Sequence, residues 1–328
     1  MKTIQIPGTA FPVSKICLGC AHMGTKHNSA ESFAILDHYF EQGGRFLNTA
    51  HEYGLGKSEE TLGQWIRSRS NRDQIILTTK GGEDYRVKGF RSMHREDLLV
   101  DMDESLTRLG QDHVDFYMLH IDDVKVGVDE ILETMEELCK AGKTRHYGCS
   151  NWSPERQREA AVYAKAHCLQ GFVIDEVEFN LAGNNLDNKG LNKWLDQNGI
   201  ACHEESGMCV GAYSPLAVGA LSKLVRDGDT RAWGEILEQW FDCPYTQEVA
   251  RRIRLIQQET GWTTAQIQLA WLMNHPYRFP TFLIMGVSSI AQMDDALQAF
   301  DLTVTPEMID YLRPDPTEFP RNTFSFFD

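Results

Sequence analysis

The sequence predicts an α/β protein: a (β/α)8 TIM barrel with an N-terminal β-hairpin and a long loop after the seventh barrel strand. Three observations predict it. Short apolar runs alternate with helix-period segments along the whole chain, eight such runs occur, and no Gly-rich dinucleotide fingerprint follows the first of them. The runs fall at residues 15–19, 45–49, 74–80, 114–119, 145–149, 172–178, 208–213 and 281–286. An open doubly wound sheet would place its fingerprint after the first run, where the chain reads Leu18-Gly19-Cys20-Ala21-His22-Met23-Gly24, with the wrong glycine spacing. Eight units suit closure into a barrel.

The elements follow in order. Residues 3–6 and 11–13, around Pro7-Gly8, read as a hairpin ahead of the barrel. Between the runs the spacing is helical. Leu98, Leu99, Met102, Leu106 and Leu109 share one stripe, which Gly110 ends; Ile131, Leu132, Met135, Leu138 and Cys139 share another, with Asp129 as its N-cap and Gly142 at its end. The boundary near residues 198–208 is the least sharply marked. Residues 221–246, with Trp233, Trp240 and Tyr245, read as the long loop, able to close over the barrel mouth. No linker or low-complexity stretch interrupts the chain, so residues 1–328 read as a single domain.

Charge and cysteine usage narrow the function. The 47 acidic residues exceed the 32 basic ones, giving a formal charge of −15, which repels phosphate backbones and anionic lipid surfaces; neither nucleic acid nor a membrane is an expected partner. With no secretory apolar run at the start, a cytoplasmic protein is expected. Cys17 and Cys20 have CxxC spacing but lie in an apolar strand without a second pair, which predicts core packing in place of metal or redox chemistry.

In such a barrel, chemistry gathers at the C-terminal strand ends. Those ends carry Asn48, Tyr53, Lys80, His120, Ser150, Asn151, Glu176 and Tyr213. A tyrosine beside a lysine acts as an acid because the ammonium lowers the phenol's pKa, and a nearby histidine can hydrogen-bond a developing alkoxide.

The stretch Arg45-Phe46-Leu47-Asn48-Thr49-Ala50-His51-Glu52-Tyr53-Gly54, running on through Gly56-Lys57-Ser58-Glu59, resembles the signature of the aldo-keto reductases. Further matches follow in order at Thr78-Thr79-Lys80, Leu119-His120, Gly148-Cys149-Ser150-Asn151, Val177-Glu178-Phe179-Asn180 and Ala212-Tyr213-Ser214-Pro215-Leu216. The resemblance implies a nicotinamide-dependent oxidoreductase acting on a small carbonyl or sugar-like compound, needing no metal. It makes Tyr53 the general acid and base, Lys80 its partner and His120 the carbonyl-orienting donor. Ser150, Asn151 and Glu176 would meet the nicotinamide carboxamide, and Tyr213 would stack under the ring. It also gives Ser214, Leu216, Gly286, Ser288 and Gln292 to the cofactor.

The chain departs from that pattern in several places. Asn48 stands where the family has an aspartate paired with the lysine, and Glu176 where it has glutamine; Glu52 or Glu176 is a candidate to replace the missing carboxylate. Arginine or lysine is usual near Ser288, asparagine at Ala296 and, in many relatives, arginine at Val218. The hydroxyls of Ser288 and Ser289, with the following helix N-terminus, remain available to a phosphate. NADP(H) is the family expectation, with NAD(H) a competitor. Two other functions stay open: a cofactor-binding barrel with little turnover, and a lyase or isomerase using the same Tyr53–Lys80 pair. Trp152 is a candidate pocket residue or core residue. Phe319, Phe324, Phe326 and Phe327 could drape over the barrel mouth.

Overall fold

Strands Thr3–Gln5 (β1) and Pro12–Ser14 (β2) form an antiparallel hairpin, with Gly8 in a left-handed conformation at its turn. The computed structural model describes residues 1–83, 92–183, 193–231 and 233–315. The barrel begins with Ile16–Gly19 (β3), followed by Ser29–Glu41 (α1), Phe46–Asn48 (β4), Lys57–Arg69 (α2), Ile76–Gly81 (β5), Arg95–Leu109 (α3), Val114–Leu119 (β6) and Val128–Lys140 (α4). It continues with Thr144–Ser150 (β7), Pro154–His167 (α5), Ile174–Glu178 (β8), Gln197–Ser206 (α6) and Cys209–Tyr213 (β9). Ala220–Asp227 (α7), Glu235–Phe241 (α8), Pro244–Thr260 (α9) and Thr264–Met273 (α10) precede the last strand, Thr281–Met285 (β10); Ile290–Gln298 (α11) and Pro306–Leu312 (α12) follow. All eight barrel strands are parallel, in the closed order β10-β3-β4-β5-β6-β7-β8-β9. Each expected run forms its strand.

Two apolar layers hold this together. The larger lies between strands and helices and includes Leu36, Trp65, Met102, Leu132 and Leu283. The smaller fills the N-terminal half of the barrel: Cys17, Phe46, Phe116, Ile174, Cys209 and Phe282 point inward, and Ile6 and Val13 of the hairpin plug the end. Side chains alternate along a strand, so the residue two places on from each inner apolar one also faces inward. Phe46 is followed in this way by Asn48, Met118 by His120 and Ile174 by Glu176. The same alternation that builds an apolar floor therefore builds a polar ceiling.

Three local expectations need correction. The connection after the seventh barrel strand is long, but it is folded as α7, α8 and the start of α9, and Trp233 and Tyr245 are buried in the core. Their apolar area is better satisfied by packing than by draping over the mouth. Helix α4 starts two residues earlier than expected, with Gly127 and not Asp129 as N-cap; Asp129 lies in the first turn, where its charge still favours the helix dipole. At the other end of α4 the cap is Ala141, with Gly142 just beyond it. Gly110 is the left-handed cap of α3, as its position implied. Cys17 and Cys20 are fully buried, and burial pushes the Cys20 thiol up to about 12, consistent with packing. Trp152 is likewise buried, edge-on to Phe172. The four C-terminal phenylalanines lie outside the described residues.

Candidate active site

Lys80, two residues from the inward Thr78 on β5, is buried, and its ammonium is surrounded by acceptors. Nζ donates to Asn48 Oδ1 at 2.5 Å and to the Thr49 carbonyl at 3.0 Å, and it lies 3.3 Å from Glu176 Oε2 and 3.4 Å from the Tyr53 hydroxyl. Asn48 Nδ2 in turn donates to Glu176 Oε1 at 2.6 Å. Gly211 on the adjacent strand makes room for this carboxylate: a Cβ there would lie 3.0 Å from Glu176 Cγ and 2.7 Å from the Phe282 ring. Tyr53 is carried by a tight turn closed by its own N–H to the Ala50 carbonyl. Gly54 and Gly56 adopt left-handed conformations in that turn, and Gly54 presses so closely on Thr25 that a Cβ would lie 2.3 Å from its methyl group.

Electrostatics sort the protonation states. Burial works against the charge on Lys80, but the Glu176 carboxylate and the Tyr53 oxygen offset it and hold the lysine's pKa above its ordinary value. Burial raises Glu176, while Lys80 and Asn48 pull it down. The proton of this pair belongs on Nζ, because only an ammonium supplies a donor to each of the three shortest acceptor contacts. Burial also raises Tyr53, more than Lys80 lowers it. The lowering expected from the sequence is present but outweighed, so the phenol keeps its proton at neutral pH. The His120 ring packs edge-on to Tyr53 at 5.6 Å, and burial, aided by Lys80, drives its pKa well below the usual value. His120 is thus a neutral imidazole, and among the described residues its Nδ1 has no hydrogen-bond partner.

Ser150 and Asn151 form a ledge beside this cluster. Ser150 Oγ donates to the Glu176 carbonyl at 2.8 Å, and Asn151 Nδ2 donates to Ser150 Oγ and to the His120 carbonyl. The Tyr213 hydroxyl donates to Asn151 Oδ1 at 2.8 Å, which fixes the tyrosine ring at the end of β9. From there the chain runs into a cleft of about 580 Å³ whose lining includes Ser214, Leu216, Gly286, Ser288 and Gln292. Ser214, Ala217 and Val218 have positive φ, as does Gly219, and the Ala217 and Gly219 N–H groups close this strained turn on the Ser214 and Leu216 carbonyls. Ser289 caps α11, accepting from Gln292 N. The serine hydroxyls on this cleft, with the N-terminus of α11 beside it, are a donor set that fits a dinucleotide's phosphates. Thus Asn48, Tyr53, Lys80, His120 and Glu176 form one group: the Glu176 carboxylate, expected at the nicotinamide carboxamide, is taken up by Asn48 and Lys80, and the other residues expected at the cofactor run from the ledge into the adjoining cleft.

Two features were not foreseen from the sequence. Lys26 and His22, in the loop after the first barrel strand, line the same cleft, as does Asp295; their position at a barrel strand end was the available signal. Behind the Tyr53 turn, His51 Nε2 bonds Glu104 Oε2 at 2.9 Å and approaches Asp101 at 3.7 Å, while the buried Glu83 lies 3.6 Å from Nδ1. Arg108 pairs with Glu104 and with the buried Glu59. A cavity of about 670 Å³ at the opposite end of the barrel, bordered by Phe172, Leu169 and Val162, carries none of the groups above.

Residues 15–314 match the model of the Aldo/keto reductase family. The chain belongs to that family. Aldo/keto reductases are oxidoreductases that use a nicotinamide cofactor, and this chain is one of them. It is similar to norsolorinic acid reductase B of Aspergillus parasiticus, at 29% identity covering 92% of this chain and 81% of the relative. It is similar also to the aryl-alcohol dehydrogenase [NADP(+)] of Phanerodontia chrysosporium, at 25% identity covering 93% and 83%. Among solved structures, that of the thermostable aldo-keto reductase Tm1743 with the inhibitor epalrestat superposes with a TM-score of 0.72 at 22% identity, covering 95% of this chain and 98% of the other. As a member of the aldo/keto reductase family the protein shares the barrel; no helix among its described residues is long and apolar enough to cross a membrane.

Proposed function

We propose that the protein interconverts a carbonyl and an alcohol on a small molecule, with NADP(H) as cofactor and Tyr53 as the proton-transferring group. One observation carries this reading: the Tyr53 hydroxyl lies 3.4 Å from the buried Lys80 Nζ, and its ring packs edge-on against the His120 imidazole. Bound at the ledge and cleft, the cofactor would supply or accept the hydride. His120 is then free to orient a carbonyl oxygen, Tyr53 gives that oxygen its proton, and Lys80 stabilises the phenolate left behind. In the reverse direction the same groups accept the proton. Ser150, Asn151 and Tyr213 would hold the nicotinamide end, and the Ser214–Leu216 rim with Gly286, Ser288 and Gln292 the phosphate end. The names of the two relatives, a reductase of norsolorinic acid and a dehydrogenase of aryl alcohols, favour carbonyl and alcohol substrates and, for the second, NADP.

The reading is tested by fluorescence titration with NADPH and NADH, followed by turnover assays over aldehydes, aryl ketones and keto-sugars. Turnover of none of these with either cofactor overturns it.

Cofactor choice has its own test. Lys26 and His22 line the cleft, and so does Asp295, whose carboxylate accepts from Thr263 and Gln266. Ser288→Arg is expected to strengthen NADPH binding over NADH by about 1.5–3 kcal/mol through a charge-assisted phosphate contact. Lys26→Ala is expected to weaken NADPH selectively. If both variants bind both cofactors like the parent protein, the 2′-phosphate is not read at this cleft.

A further inference from the structure

The sharing of charge between Asn48 and Glu176 has its own logic. Asn48 accepts from Lys80 through Oδ1 and donates to Glu176 through Nδ2. An amide does both without a titrating proton; an ionised carboxylate at position 48 would leave two acceptors facing each other across 2.6 Å. Glu176, for its part, is the carboxylate in contact with Lys80 among the described residues. Were it an amide, the buried ammonium would lose its counter-ion. Each residue therefore dictates the chemistry of the other. They come from β4 and β8, on opposite sides of the barrel, and meet only because the barrel closes around Lys80.

We propose that Glu176 is a positioning residue for the Tyr53–Lys80 pair, and that Asn48 and Glu176 form one interchangeable amide–carboxylate unit supplying its single negative charge. Glu176 acts through Lys80. It keeps the proton on Nζ and, with Asn48, fixes Nζ 3.4 Å from the phenol. This fixes both the place and the charge state of the group that stabilises the phenolate. Exchanging the two chemistries, with aspartate at 48 and glutamine at 176, preserves every element of the unit. The new carboxylate accepts from Nζ, the new amide donates to the carboxylate, and the site still holds one negative charge. Each single substitution breaks it. Asn48→Asp brings two carboxylates together, so that one must take up a proton near neutral pH. Glu176→Gln leaves two amides and an unpaired ammonium.

The catalytic part of this inference rests on the reading of Tyr53 as the proton-transferring group. Its test is a double-mutant cycle on the full chain. kcat/KM against pH is measured with one accepted carbonyl substrate for the parent, Asn48→Asp, Glu176→Gln and the double variant, and urea unfolding midpoints are measured for all four without cofactor. Each single variant is expected to lose at least about tenfold in kcat/KM, while the double variant returns to within roughly threefold of the parent, a coupling typical of residues in one network. The unfolding midpoints should follow the same order. The Asn48→Asp profile should gain an additional ionisation that is absent from the parent and from the double variant. A side chain that merely fills space would not produce that ionisation or its disappearance. Additive losses in the double variant, or a double variant less stable than both singles, overturn the proposal. Failure of the underlying reading looks different, since Tyr53→Phe would then turn over at the parent's rate whatever the cycle shows.

Discussion

Tyr53→Phe is expected to lower carbonyl turnover by about 10²–10⁴-fold while leaving the Kd for the nicotinamide cofactor close to that of the parent protein. The ring is retained, so its edge contact with His120 at 5.6 Å survives, and Lys80 keeps its bonds to Asn48 and Thr49. What disappears is the proton. The loss should fall on kcat and kcat/KM together, as for an interaction made in the transition state. The pH dependence follows from the raised pKa of Tyr53. A phenol held above its ordinary value of 10.0 stays protonated through neutral pH, so reduction should be flat there and decline only on the alkaline side. Oxidation of an alcohol, which needs the phenolate, should rise with pH over the same range. Parent-level turnover by Tyr53→Phe would remove Tyr53 from the chemistry altogether.

The second large effect concerns stability. Burial, with the nearby charges of Asp101 and Glu52, pushes the Glu83 carboxyl up to about 9 from an ordinary 4.5. Glu83 is a carboxylic acid in the folded protein over a pH range where the unfolded chain has already ionised it. Between about pH 4.5 and 9 the folded state binds the extra proton, so stability falls as pH rises through that window. The groups facing it are His51, Asp101 and Glu52, with Glu104 and Arg108 beyond. Glu83→Gln keeps the shape and a donor but cannot ionise. It is expected to raise Tm at pH 8 by roughly 2–4 °C, equivalent to about 2 kcal/mol in a protein of this size, and to flatten the decline across that window. Identical melting curves for variant and parent from pH 5 to 9 would show that Glu83 carries no such penalty.

Much of this architecture was legible in the sequence because it depends on period. Strand Val114–Leu119 announces itself by its apolar run and α3 by its stripe and terminal Gly110, and both are local properties of the chain. The site was legible as a set of polar strand ends: Tyr53, Lys80 and His120 do meet. How Asn48 is compensated was not legible, because its partner lies 128 residues away and reaches it only across the closed barrel. Sequence left Glu52 and Glu176 as equal candidates; the structure places Glu52 beside His120, 4.0 Å from Nδ1, and Glu176 on Lys80. Residues 221–246 read as a loop because their helices are short and interrupted at Gly228 and Gly234. Their order comes from tertiary burial, which overrides weak local propensity. Lys26 went unnoticed because nothing in its neighbourhood distinguishes it from any solvated lysine until β10 brings Ser288 alongside.

Barrel closure also sets a schedule for biogenesis. The strand at residues 16–19 has one neighbour that follows within thirty or so residues of chain, while its other, Leu283 opposite Ile16, is synthesised last. Until then the nascent sheet has two open edges, β3 and β9, each an unsatisfied template for a strand from another chain. A message truncated before residue 281 would release just such a two-edged sheet, and its expected fate is aggregation or degradation, with no partly active product. The last strand is thus the quality checkpoint of the chain, since the same pairing that seals the edges brings Gly286 and Ser288 to the cleft.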